Sequence, residues 1–561
     1  MSERLYLSRR EFFHLVHGIG CGVISAGLLA ACAPAVRENT NTTPSGPVGK
    51  LTVALSSLGT AQVYLPWREA GAEGWIVMWG FYEGLTSVSP ITQKLEPMLA
   101  ERWEVQDDGK RWTFFLRRGV PFQDGWGELT AEDVRFTFDQ IMSEKSIHTG
   151  KGSLGQVLER VEVDNPYQVT FYLKRTYPFF ADLIAQNYYF GIVSRKYVES
   201  VGEEQAAAKP VGTGPFKLIE HQRLHFARFE AVENHWRITP QFKTLELRQI
   251  QDPSARLDML RAGQADVAEI PFKLKREAEA AGMRFTKSES AALYHVHLGG
   301  QVLPSRNVFD PTVPWVGDPN DPVSQERALK VRKALALAVD KQAIIDSVFY
   351  GEAKPLTYPF YSPHLEYLPK LPPYPYNPEE ARRLLAEAGY TNGFSREIEM
   401  LLQPWPGRAE MVDVDEAVAG FWEKHLGLRV KRTPMDFATW APIGRARDMA
   451  WRTWTQGVQS QPANEPAIPM VSWITSTSTY NTVAERPDID ELYARITSTI
   501  DQTKREELHA ELARKLYEGY YCIPIAAVPS LYAINPKTVS NWPRAPGESY
   551  LRGYEYIRRA E

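Results

Sequence analysis

The stretch Leu293-Tyr294-His295-Val296-His297-Leu298-Gly299-Gly300-Gln301 sets two imidazoles two residues apart. A strand turns alternate side chains to one face, so both rings would stand side by side. Two such rings offer nitrogens to a metal or a metal chelate, or donors and acceptors to a hydrogen-bonded partner. No third ligand of comparable clarity accompanies them, so strand packing or a hinge-side hydrogen bond is the reading set against metal, and neither metal nor cofactor is expected. A second group stands in "RDMAWRTWTQGVQSQPANEP", residues 447–466: Trp451, Trp454, Gln456 and Gln459, with Trp440 before and Trp473 after. Indole faces stack on sugars, flat rings or cations, and carboxamides carry both a donor and an acceptor. With Tyr294 and Gln301, which flank the histidines, these residues form the candidate ligand-binding set. They are tools of recognition. The chain has no G-x-S-x-G elbow, no H-E-x-x-H helix and no G-x-x-x-x-G-K-[ST] loop, and no catalytic residue is assigned.

The elements that must position these groups are short strands alternating with amphipathic helices, without a fixed repeat, which makes an α/β protein with mixed sheets. "WEVQDDGKRWTFFLRRG" reads as two strands joined at Asp107-Asp108-Gly109, where glycine accepts the positive φ of a tight turn. Thr130 with Asp133 three residues on is a capping pair for the helix "AEDVRFTFDQIM". The same grammar recurs at Asp252-Pro253, with Gly263 ending the helix, and at Asn377-Pro378, with Gly389 in that role. Residues 324–351 make one long amphipathic helix or a bent pair. Gly212-Thr213-Gly214 is followed by Pro215, which fits a structural turn and not a phosphate cradle.

With 561 residues, 43% hydrophobic and 24% charged, the chain has room for two to four domains. A formal net charge of −4 with interspersed signs gives no basic patch, so nucleic acid is not an expected partner. The N-terminus is a targeting segment. Ser8-Arg9-Arg10-Glu11-Phe12-Phe13 resembles the twin-arginine export motif, with a Sec route as the alternative, and Leu29-Ala30-Ala31-Cys32 resembles a bacterial lipobox in which Cys32 is acylated. Residues 33–49 read as a polar tether. Of the three cysteines, Cys21 leaves with the signal, Cys32 is lipidated and Cys522 sits in an apolar strand-like run, so the mature body has no disulfide.

The order "YEGLT", "LAERWEVQDDGKRWTFFLRRGVPFQDG", "LTAEDVRFTFD" resembles extracellular solute-binding proteins of the peptide/nickel type, family 5, which serve ABC importers. Later blocks resemble that family too: "KPVGTGPFKLIE", "ENHWR", "DPSARLDMLRAGQADVA", "VRKALALAVDKQAIIDSVFYG" and "NPEEARRLLAEAGY". The resemblance implies a two-lobed periplasmic-binding-protein-like fold (type II, cluster C) with mixed sheets and an inserted domain. Domain I would be residues 50–85, 207–296 and 530–561, domain II 86–206 and domain III 297–529. It implies capture of a peptide or peptide-like solute, or a sugar or conjugate, by lobe closure, and delivery to a membrane permease and its ATPase. The protein would be monomeric and lipid-anchored outside the cytoplasm, and a ligand-sensing lipoprotein or an extracytoplasmic hydrolase are the alternatives. In oligopeptide-binding members an aspartate after the Trp-rich strand receives the peptide α-ammonium. Thr455-Gln456-Gly457-Val458-Gln459-Ser460 stand there instead. A carboxylate–ammonium hydrogen bond is worth roughly 1.5–3 kcal/mol, so its absence turns the expectation toward a neutral polyhydroxylated or amide-bearing solute.

Overall fold

Five consecutive residues of β1 (Lys50–Leu55) are buried, the pattern of a strand covered on both faces. The computed structural model describes residues 46–561 apart from 59–62, 70–73, 92–93, 149, 187–189, 404–407, 409, 460–464, 471–472, 479, 481–482 and 545–551. The N-terminal positions Arg9, Arg10 and Cys32 lie outside the described residues, and among those described no helix is long and apolar enough to cross a membrane.

After β1 the chain builds a small antiparallel sheet. β2 (Ala100–Gln106) and β3 (Arg111–Leu116) form the expected hairpin, with Gln106 opposite Arg111 and Asp107, Asp108 and Gly109 all at positive φ. Helix α1 (Ala131–Met142) begins with the expected box: the Thr130 backbone N–H donates to Asp133 Oδ2 at 2.9 Å. β4 (Leu158–Asn165) and β5 (Gln168–Leu173) complete the sheet in the order β2-β3-β5-β4. Its apolar face packs Trp112, Phe114 and Phe171 against Phe138 of α1 and Phe180.

The main sheet takes β6 (Phe216–Gln222), β7 (Phe226–Ala231) and β8 (Thr244–Gln249), then crosses through α2 (Pro253–Arg261) to β9 (Val267–Glu269). Asp252 caps α2 by accepting from the Ala255 N–H, and Gly263 follows at φ +67°. β1 lies parallel to both β8 and β9, so the carboxyl ends of β1 and β9 open on one side. The fifteen-residue β10 (Arg284–Leu298) leads into α3 (Pro322–Leu337), α4 (Lys341–Val348) and α5 (Pro378–Glu387). The long helical stretch is thus a bent pair, broken where Asp340 caps α4. β11 (Ile398–Leu402), α6 (Glu410–Leu426), β12 (Val430–Pro434) and β13 (Arg452–Gln459) follow, with β11 parallel to both β12 and β13. After α7 (Pro487–Ser498) and α8 (Gln502–Gly519), β14 (Cys522–Ile534) runs back through the whole sheet.

The order is β12-β11-β13-β10-β14-β9-β1-β8-β7-β6. β10 and β14 pair from Arg284↔Ile534 to Ser288↔Ser530, lose register, resume from Ala292↔Val528 to Tyr294↔Ala526, and shift once more before running from His295↔Pro524 to His297↔Cys522. Ser290, inside the break, has φ +53°. A second core around Trp315, Leu335 and Trp422 covers one face of the β10–β13 half. Cys522 is buried in β14 and burial pushes its thiol upward, as befits an inert packing residue.

The Gly212-Thr213-Gly214 turn is a close backbone approach. A Cβ on Gly212 would lie 1.8 Å from the Phe81 carbonyl oxygen, a clash that nothing flexible can relieve. Gly212→Ala is expected to cost about 3 kcal/mol or more, read as a lowered urea midpoint with an unchanged m-value.

Candidate ligand-binding site

β10 and β13 are antiparallel neighbours, with His295 opposite Gln456 and His297 opposite Trp454. Alternation puts these four side chains on one face of the sheet, and Tyr294 and Val296 on the other. His297 and Trp454 stack at 5.1 Å between centroids with planes 8° apart, His295 lies 4.7 Å from His297, and Phe360 meets His295 edge-on at 4.6 Å. His295, His297 and Trp454 are 0% exposed and Gln456 1%.

Such burial demands partners for polar atoms, and several lack them. Among the described residues neither Nδ1 nor Nε2 of His295 has a well-aligned hydrogen-bond partner, although the Leu293 backbone lies close enough to favour a protonated ring, and Gln456 Oε1 and Trp454 Nε1 have none. Burial, reinforced by His297, drives the His295 imidazole well below its usual pKa, so the ring is neutral and carries one donor and one acceptor. An unpaired buried polar group costs about 1–3 kcal/mol. The face therefore presents an acceptor amide, an indole donor and an imidazole with one of each, all uncharged.

An aromatic rim borders it. Trp440 packs on Trp454 at 5.8 Å and on Tyr480 at 5.1 Å, and Trp473, half-buried, stacks on Tyr480 at 5.2 Å. Behind Phe360 the Tyr361 hydroxyl lies 3.2 Å from His509 Nδ1, and His509 Nε2 is 3.0 Å from Glu465 Oε1. Arg505 reaches Glu465 at 3.5 Å. Burial opposes charge on Glu465, yet His509 and Arg505 together hold its carboxyl below the usual range. Asp182, from the short helix Phe180–Gln186, has the opposite fate: burial and then Glu465 push it up to about 7.

The other expected site residues are distributed elsewhere. Trp451 lies in the second core against Trp315 and Phe394, just ahead of β13 and at φ +64°. Gln301 Nε2 donates to the carbonyls of Leu298, Val483 and Tyr521, at 2.9, 2.9 and 2.7 Å, which makes it a staple between segments. Tyr294 lines a different cavity, on the opposite sheet face. Gln459 pairs with Ala292 through the backbone, and its side chain lies outside the described part. The structure thus groups Trp454 and Gln456 with both histidines and sets Trp440 and Trp473 at the rim. Phe360, Asp182, Glu465 and His509 were not singled out in the sequence, because they reach this neighbourhood from separate segments and no local spacing marks them.

The profile described as "Bacterial extracellular solute-binding proteins, family 5 Middle" matches residues 94–478. The chain belongs to that family. Among its family 5 relatives, the dipeptide-binding protein of Escherichia coli (strain K12) is 30% identical over 459 residues, 77% of this chain and 80% of that protein. Heme-binding protein A of Haemophilus influenzae is 29% identical over 349 residues, 58% of each chain. Among solved structures, HbpA2 from Haemophilus parasuis superposes with a TM-score of 0.74 at 23% identity, covering 91% of this chain and 100% of that one. NikA from Brucella suis in complex with Fe(III)-EDTA gives 0.74 at 22%, with the same coverage. These likenesses establish the two-lobed α/β fold, and as a family 5 protein the chain has the general role of an ABC-importer substrate-binding protein, a class of binders and not of enzymes.

Two outcomes follow from the local chemistry. His295→Phe removes both unpaired nitrogens, and is expected to raise the urea-unfolding free energy by about 1 kcal/mol; a loss of similar size would show that the protein itself satisfies the ring. The folded chain keeps a proton on Asp182 at pH values where the unfolded chain, at about 3.8, has released it, so stability is full at low pH and falls as pH rises toward 7. Asp182→Asn is expected to flatten that slope in midpoints measured from pH 4 to 8.

Proposed function

We propose that the chain is the capture subunit of an ABC importer for a neutral peptide-like, amide-rich or polyhydroxylated solute, recognised at the His295–Gln456–Trp454 face. The observation that carries this reading is the set of fully buried, uncharged polar atoms on one sheet face with no hydrogen-bond partner among the described residues. A solute with hydroxyl or amide groups supplies a donor for Gln456 Oε1 and an acceptor for Trp454 Nε1, and either to His295. Stacking on the Trp440, Trp473 and Tyr480 rim supplies apolar contact. The relatives named for dipeptide and heme are consistent with a family that varies its cargo on one scaffold.

The same reading takes residues 50–85, 207–296 and 530–561 as one lobe, 86–206 as the inserted domain and 297–529 as the other lobe. Cys32 carries the lipid anchor that holds the protein on the extracytoplasmic face. Solute stabilises the closed arrangement only by binding it more tightly than the open one, and the permease then reads the closed shape.

Thermal unfolding against di- to pentapeptides, blocked peptides, oligosaccharides and opine-like conjugates tests the proposal. A solute at 100 times its Kd is expected to add roughly 2.7 kcal/mol, seen as a raised midpoint. The rise should vanish in His295→Phe and Gln456→Leu. A solute that stabilises both variants as well as the parent chain would place its site elsewhere.

A further inference from the structure

Away from the solute face, α3, α8 and the start of α7 enclose an open groove of about 600 Å³ that the functional reading does not use. Arg332 reaches it from α3, Lys515 from α8, Arg486 and Asp488 from the start of α7, and Tyr521 from the residue ahead of β14. Three cations here share one carboxylate. Asp488 pairs with Arg486 at 3.0 Å and with Lys515 at 2.8 Å, and Arg332 makes no ion pair among the described residues, so three positive charges against one negative leave a formal +2. The rim is balanced: Glu326 pairs with Lys330, Glu511 with Arg495, and the exposed Arg514 offsets the exposed Glu518.

We propose that the floor of this groove is a second binding site and that it takes a dianionic phosphate group. The buried guanidinium carries the argument. Arg332 is 4% exposed, its Nε and Nη1 donate to the carbonyls of Gly519 and Trp315 at 2.8 Å each, and its Nη2 donates to no described residue. A charge buried to this degree is ordinarily paired with an opposite one, and two carbonyl dipoles, one at the end of α8, supply only part of that compensation. Burial pushes the Arg332 guanidinium down to about 10, and Arg486 adds to the push. A bound anion would oppose both effects.

Tyr521 gives an independent observation. It is 8% exposed, and its ring holds both guanidiniums, with Cζ of Arg332 5.1 Å and Cζ of Arg486 5.4 Å from the centroid. Its hydroxyl makes no hydrogen bond to any described residue. The groove thus gathers a phenol, Arg332 Nη2 and the Arg486 fork, whose Nη1 is also unengaged, all of them donors. Guanidinium forks match phosphate oxygens with paired, charge-assisted hydrogen bonds, and a dianion cancels the local +2 where a single carboxylate would leave half of it. Tyr521 also accepts from Gln301 through its carbonyl at 2.7 Å, which ties the groove to the segment that follows β10.

Isothermal titration of the purified chain in Tris with inorganic phosphate, glycerol 3-phosphate and acetate, at ionic strength fixed with chloride, tests this. Saturable binding of phosphate is expected, about tenfold or more tighter than acetate, weakened about tenfold or more in Arg486→Gln and to a lesser degree in Tyr521→Phe, which deletes only the hydroxyl. Affinity for inorganic phosphate alone identifies the free ion, and affinity for glycerol 3-phosphate as well identifies the phosphate of an organic solute. His295→Phe, on the solute face, is expected to leave this binding unchanged, which separates the two sites. Circular dichroism melts confirm that the variants are folded, and Tyr521→Phe serves if Arg486→Gln is not. No saturable heat with either phosphate, binding that Arg486→Gln and Tyr521→Phe both leave unchanged, acetate bound as tightly as phosphate, or loss of phosphate binding in His295→Phe would each overturn the proposal.

Discussion

The backbone hydrogen bonding between β10 and β14 is the constraint on which the rest of this molecule depends. These strands alone join the β1–β9 half of the main sheet to the β11–β13 half, and both are long, fifteen and thirteen residues. A regular ladder of that length would weld the halves into one twisted plank. The register break between Ser288 and Ala292, with Ser290 in the left-handed region, prevents this. A second shift follows between Tyr294 and His295, so the pairing is divided into three short runs. The core around Trp315 and Trp422 lies on the β11–β13 side, while the one around Trp75 and Phe114 continues across the crossing strands to Val458, Leu492 and Leu512.

The same two strands decide where polarity can be buried. Elsewhere buried polar groups find backbone partners, as with Arg332 of α3, which donates to the carbonyls of Gly519 and Trp315 at 2.8 Å each, while Asp415 of α6 accepts from the Thr455 N–H through Oδ1 at 2.7 Å and leaves Oδ2 without a partner. The His295 face gathers several unpartnered atoms on neighbouring side chains of two paired strands. A fold that satisfies its polar groups with backbone carbonyls elsewhere has no physical reason to strand an imidazole, an amide and an indole together unless something else meets them. The stability sacrificed there is small beside that of the large apolar cores, which is why the fold tolerates it.

What the sequence showed in advance was local chemistry. The Asp107–Gly109 hairpin, the Thr130–Asp133 box and the Asp252 and Asn377 caps were legible because each is settled within a few residues by φ preference or a single side-chain hydrogen bond. The pairing of His295 with His297 followed from period two. That period also explains why two tryptophans quoted together part company: Trp451 and Trp454 are an odd number apart, and Trp451 leaves the chain at positive φ before β13 begins, so one enters the second core and the other the ligand face. Glu465, His509 and Asp182 were not legible, because their meeting is fixed by packing between distant segments and not by any spacing within one.

Tyr294 and His295 are consecutive residues, so alternation alone sends one into the cavity at the strand ends and the other onto the opposite face. A second register shift of β14 against β10 falls between them, where Tyr294 faces Ala526 and His295 faces Pro524. Pro524 has no N–H to give the ladder at that step, so the backbone irregularity falls where the two faces of β10 diverge. The crossing strands thus do more than connect the two halves of the sheet: within two consecutive residues they assign one side chain to the cavity at the strand ends and the next to an uncharged, buried face.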